Sequence, residues 1–231
     1  MFLKIYDNCV MKDLISSLVL AWLFAGSIAF GANVVTGKLI ALDAGHGGAE
    51  QGAYNATYDV YEKDVNLDVV LVLKEKLKAD GADVVLTREG DETMDSRKSR
   101  VDLAIEKCNA LYGRKCDILV SVHHNGNFSP THDGTLVIYN EKKDIPLARA
   151  LHDALIAGLD LDDEGYLHGG YGMTVYGNLV SALTEAYYIT NDVEAEAWKA
   201  GTRTPQEANA LYNGLISYFS AKPGGKLRGR Q

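Results

Sequence analysis

The chain has 231 residues, which is one domain's length with ample material for one core. Its apolar share of 47% and charged share of 23% are those of an ordinary globular protein. A formal charge of −8 argues against nucleic acid as the main partner, and none of Cys9, Cys108 and Cys116 forms a CxxC pair, which argues against a thiolate metal site.

Residues 1–31 stand apart from the fold. An apolar run from Leu14 to Phe30 is preceded by Lys4 and Lys12 and contains small residues at Ser27 and Ala29, with Gly31 following. It reads as a secretory signal peptide, with Met11 as an alternative start. Because the run approaches spanning length, an uncleaved anchor is the competing reading. No cysteine follows it, so a lipoprotein is not expected.

The short apolar run Leu39 to Leu42 predicts a buried strand over 38–42, ended by Asp43. Ala44-Gly45-His46-Gly47-Gly48 follows, a turn with three glycines around one histidine. Glycine allows a sharp bend and close approach. A histidine just past a strand's carboxyl end stands where open α/β sheets keep ligands, and neutral imidazole is the commonest metal ligand. Residues 47–61 predict a polar loop at the rim of such a site. Residues 62–80 predict a long helix opening with Glu62, since Val65, Val69, Val72, Leu73 and Leu77 recur at helical spacing and Gly81 is a natural stop.

A second strand is expected over 82–87, a helix over 96–109, a third strand over 117–122 leading to His123, and a fourth over 134–139. Residues 145–159 read as a helix, 160–172 as an exposed loop near the substrate, and 173–176 and 182–188 as strands. Helices over 194–200 and 205–220 close the domain, with Pro205 in a first turn. Residues 222–231 are a basic Gly/Arg-rich tail expected to be disordered. This alternation predicts an α/β fold, a single domain over 36–221 with a mostly parallel mixed β-sheet flanked by helices on both faces.

His46 and His123 at strand ends, with the carboxylate of Glu62, make a three-ligand zinc set with a fourth position open. Cys108 and Cys116 bracket a short loop; in an exported protein they form either a disulfide or two independent thiols, since Cα spacing is not legible in sequence.

Five stretches, DAGHGG at 43–48, YEKDVNLDVVLVLKEKL at 61–77, VVLTR at 84–88, SVHHN at 121–125 and TEAYYITN at 184–191, resemble the zinc-dependent N-acetylmuramoyl-L-alanine amidases, in order from about Lys38 to about Phe219. The resemblance implies Zn²⁺ held by His46, Glu62 and His123, with Glu185 as the catalytic carboxylate. It implies a peptidoglycan substrate, cut between the lactyl group of muramic acid and L-alanine, and an exported enzyme, periplasmic or extracellular. A monomer is expected, touching membrane only through the signal or anchor segment.

The family usually has a small residue where His124 stands, so His124 is a departure that either touches substrate or packs. Asp43 either bonds a metal histidine's outer nitrogen or supports the glycine turn. Arg88 and Arg100 match recurrent arginines and are expected as structural ion-pair partners. His152 is expected at the surface. Two rival functions stand beside the amidase: a zinc peptidase acting within the stem peptide, and a non-catalytic wall-binding module.

Overall fold

A computed structural model describes residues 33–94, 96–170 and 172–221. The expected signal or anchor segment at 1–31 and the basic tail at 222–231 lie outside the described residues.

The first strand, β1 (Leu39–Ala44), is buried at all six positions. A two-residue hairpin, β2 (Tyr54–Asn55) and β3 (Val60–Tyr61), folds within the segment expected as loop. It delivers the chain to α1 (Glu62–Ala79), whose buried Val65, Val69, Leu73 and Leu77 form the expected stripe. Gly81, at φ 82°, turns the chain into β4 (Asp83–Leu86). Ser96 starts α2 (Arg97–Tyr112) with a reciprocal capping pair to Ser99, and Gly113 in the left-handed conformation stops it.

Next come β5 (Ile118–Asn125), β6 (Thr135–Tyr139), α3 (Ile145–Leu159), β7 (Asp163–His168), a short 3-10 helix (Gly172–Val175), β8 (Ser181–Tyr188), α4 (Asp192–Lys199) and α5 (Arg203–Ser220).

Six strands form one sheet in the order β4-β1-β5-β8-β6-β7. The first four run parallel, β6 is antiparallel to β8, and β7 is parallel to β6. Successive strand residues point to opposite faces. Ile40, Leu42, Ile118, Val120 and Val122 enter the larger core, to which α1, α3 and α5 contribute Leu73, Leu151 and Leu211. Leu39, Ala41, Val85 and Leu119 enter a smaller core on the other face, closed by Val101 and Ala104 of α2 and by Met173 of the 3-10 helix. The sheet is covered on both faces, as its continuous apolar strands require.

The structure joins Cys108, late in α2, to Cys116, just before β5, with Cα atoms 5.6 Å apart. Of the two readings of these cysteines, it takes the bridge.

Three expectations are corrected. Part of the 160–172 segment is a strand, because the edge of β6 offers it a ladder. Residues 173–176 are not a strand. Gly172, at φ 63°, turns the chain so that Met173 plugs the smaller core as part of the 3-10 helix. His152 is buried, not at the surface: its Nε2 lies 2.8 Å from Asp163 Oδ1 at the start of β7, the strand the sequence did not reveal.

Candidate metal centre

The site forms at the carboxyl ends of β1 and β5, where strand register fixes what can meet. His46 stands two residues past the end of β1 and holds φ at 59°, a left-handed conformation that is costly outside glycine and clusters at functional sites. Two buried arginines grip the carbonyls around it. Arg88 donates to Ala44 O at 2.8 Å, Gly45 O at 3.0 Å and Lys63 O at 2.6 Å. Arg100 donates to Ala44 O at 2.9 Å and to the carbonyl of His46 itself. Arg88 thus binds backbone carbonyls and not the carboxylate expected of an ion pair.

Arg100 does form its pair, with Asp43 Oδ1 at 3.0 Å. Asp43 also accepts from Thr87 Oγ1 at 2.5 Å and Ser121 Oγ at 2.7 Å, and no histidine among the described residues donates to it. Of its two expected roles, the structure takes support of the glycine turn. Burial works to raise the Asp43 carboxyl, but Arg100, Thr87 and Ser121 outweigh it and hold the group below its usual range.

Glu62, the first residue of α1, is 4% exposed. Its Oε1 lies 3.1 Å from His46 Nε2 and 3.0 Å from His123 Nδ1. The backbone N–H of His124 also donates to Oε1 at 3.1 Å, and that of Ala53 donates to Oε2 at 2.9 Å. The two imidazole rings meet edge to face with centroids 4.8 Å apart. One ligand atom from each of His46, Glu62 and His123 lies within 4.8 Å of the other two.

Close backbone approach makes this possible. A Cβ on Gly45 would fall 2.3 Å from the His123 ring, and one on Gly52 would fall 2.4 Å from Glu62 Oε2.

Glu185 is the register partner of His123 across the parallel β5–β8 pair and lines the same cavity. Its Oε2 is buried with no hydrogen-bond partner among the described residues. Burial first, and the nearby charge of Glu62 second, push its carboxyl well above the usual range. Burial also works to raise Glu62, but the hydrogen bonds from His123 and His46 prevail and hold it well below that range. Two carboxyls in one site are thereby pushed in opposite directions, the pattern that separates a fixed anion from a proton carrier.

The cavity holds about 260 Å³ and is walled by Arg97, Ile138, Met173 and Leu183 besides the histidines and Glu185. These four were missed by sequence reasoning. They come from four separate elements, and no local motif ties them to the histidines. His124 points to the opposite sheet face, 1% exposed, and packs, as one of its two readings held.

Two imidazoles and a carboxylate converging on one point, with an unpartnered carboxylate at the edge of the cavity, suit a borderline cation such as zinc better than a hard one. Fold and site together define the class: an α/β domain with a candidate mononuclear hydrolase centre at the carboxyl edge of a parallel sheet. The family model for N-acetylmuramoyl-L-alanine amidase matches residues 40–217, and the chain belongs to that family.

The chain is 31% identical over 194 residues to N-acetylmuramoyl-L-alanine amidase LytC of Bacillus subtilis, covering 81% of this chain and 36% of that protein. It is 31% identical over 195 residues to the probable cell wall amidase LytH of Staphylococcus aureus, covering 82% of this chain and 61% of the relative. The crystal structure of an N-acetylmuramoyl-L-alanine amidase from Clostridium difficile 630 superposes with a TM-score of 0.73 at 26% identity, covering 81% of this chain and all of that one.

Proposed function

We propose that this domain is a zinc-dependent amidase that hydrolyses the bond between the lactyl group of N-acetylmuramic acid and L-alanine in peptidoglycan. The observation that carries the reading is the convergence of His46, Glu62 and His123 with Glu185 one strand away. His46, Glu62 and His123 would hold Zn²⁺, which when bound polarises an amide carbonyl and acidifies a water molecule.

The rest falls to the protein's own groups. Glu185 takes the proton of the attacking water on its carboxylate and returns it to the leaving amine of L-alanine. Its raised proton affinity suits both halves of that transfer. Glu62 is 4% exposed and takes backbone hydrogen bonds from His124 and Ala53, which would hold it as a fixed negative charge beside the cation. Arg88 and Arg100 hold the turn that aims His46.

A domain acting on peptidoglycan works outside the cytoplasmic membrane, and the apolar run at 14–30 supports export. Among the described residues no helix is long and apolar enough to cross a membrane.

The test is a digest of purified cell wall followed by mass analysis of the products. Intact stem peptides with new L-alanine amino termini, lost with a chelator and regained with Zn²⁺, are expected. Shortened stems would make the protein a peptidase, and no release would leave only a binding module.

A further inference from the structure

The face of the sheet opposite the cavity carries a chain of buried polar groups that the proposed reaction does not use. Glu207 of α5 and His124 of β5 are both fully buried, and His124 Nε2 lies 2.8 Å from Glu207 Oε2. His124 Nδ1 lies 2.7 Å from Asn66 Oδ1. Asn66 Nδ2 in turn donates to Gly45 O at 3.0 Å and approaches Glu62 Oε1 at 3.4 Å.

The chemistry fixes every orientation in this chain. Gly45 O and Glu62 Oε1 are both acceptors, so the amide nitrogen of Asn66 must face them and its oxygen must face His124. Nδ1 of His124 therefore carries a hydrogen, and one more proton lies between Nε2 and Glu207. The His124 ring is packed at 4.2 Å from the ring of Tyr187. Its own backbone N–H is the donor to Glu62 Oε1.

We propose that Glu207 and His124 are positioning residues for the metal centre: they lock Asn66, and with it the Glu62 carboxylate and the turn before His46, in the ligating arrangement. The inference rests on the zinc reading above. The path has two branches. One runs through the Asn66 side chain to Glu62 and Gly45. The other runs through the His124 backbone to Glu62. A buried carboxylate is costly to keep, and Glu207 Oε1 has no hydrogen-bond partner among the described residues. Fold stability alone would favour apolar residues at both positions.

The test is calorimetric titration of Zn²⁺ into the metal-free protein and three variants. The double variant His124→Ala/Glu207→Leu removes the buried pair together, so that neither is left without the other, and strips Asn66 Oδ1 of its donor. It should bind zinc about 10–100-fold more weakly, the usual effect of losing an outer partner of a metal ligand. Glu207→Gln, whose amide still donates to His124 Nε2, should bind close to the parent. Asn66→Leu should weaken binding at least as much as the double variant.

A double variant that binds zinc as tightly as the parent overturns the proposal. So does a Glu207→Gln protein as weak as the double variant. If the parent itself binds no zinc, the failure lies with the proposed function instead. Melting temperatures of the metal-free proteins separate a purely structural role, which would shift them and leave the affinity in place.

Discussion

His123 and His124 are neighbours on β5, yet they belong to regions of opposite character. His124 faces the side where α1, α3 and α5 close over a large core, and both its ring nitrogens are hydrogen-bonded. His123 faces the side covered by α2 and the 3-10 helix, where the core is smaller and a cavity stands open beside Glu185. The difference teaches where stability and chemistry are kept. The three-helix side gains its energy from burial and holds its histidine still. The other side gives up packing and leaves Glu185 Oε2 without a partner among the described residues, as the three-helix side leaves Glu207 Oε1, costs that folding does not reward.

The largest effect should come from the side with the cavity. Glu185→Gln should lower amide hydrolysis about 10²–10⁴-fold, the usual contribution of a positioned acid–base group, while zinc binding remains. The same change should raise the melting temperature of the metal-free protein at neutral pH. The sign follows from the raised carboxyl: the folded state holds that proton more tightly than the unfolded one. Parent stability therefore declines as pH rises through the interval between the unfolded and folded values, and the glutamine variant lacks that decline. Thermal melts across pH, run beside wall-digestion rates, check both halves.

Arg100→Met strands the Asp43 carboxylate at 0% exposure and should cost about 3–5 kcal/mol in a urea titration. Because Asp43 is held below its usual range, its contribution in the parent is present above the unfolded carboxyl value and disappears as pH falls through the folded one. In the three-helix region, Leu151→Ala should cost about 2–5 kcal/mol through the cavity it leaves, with kcat unchanged. A Leu151→Ala enzyme with lower kcat would break the division between the two faces.

The smallest effect should come from the link between α2 and β5. Reducing Cys108–Cys116 should cost about 2–3 kcal/mol, because the loop it closes is short. Mass spectrometry with and without reductant, beside melting curves, gives both the bridge and its effect.

Much of the cavity side was legible in sequence because its parts are local. An apolar run ending in Asp43 and three glycines around His46 announce a strand and a site. On the three-helix side, the stripe from Val65 to Leu77 announces α1. Glu62 is different: a first-turn glutamate favours the helix dipole anyway, so only its neighbouring motif singled it out.

What stayed hidden depends on partners distant in the chain. β7 opens with Asp163 and Glu164 and contains Gly165, so it lacks strand patterning, and only the edge of β6 makes it a strand. His152 is buried only because β7 lies against it. The partner of His124 lies 83 residues away, and nothing near either residue points to the other.

The proposed chemistry requires His46, Glu62 and His123 to act together on one ion. A calorimetric titration of Zn²⁺ into metal-free parent, His46→Ala, Glu62→Ala and His123→Ala proteins tests that directly. One zinc per parent chain, and strong loss of binding in each variant with the fold retained, is the result expected. Undiminished binding in any of the three, or none in the parent, would contradict it.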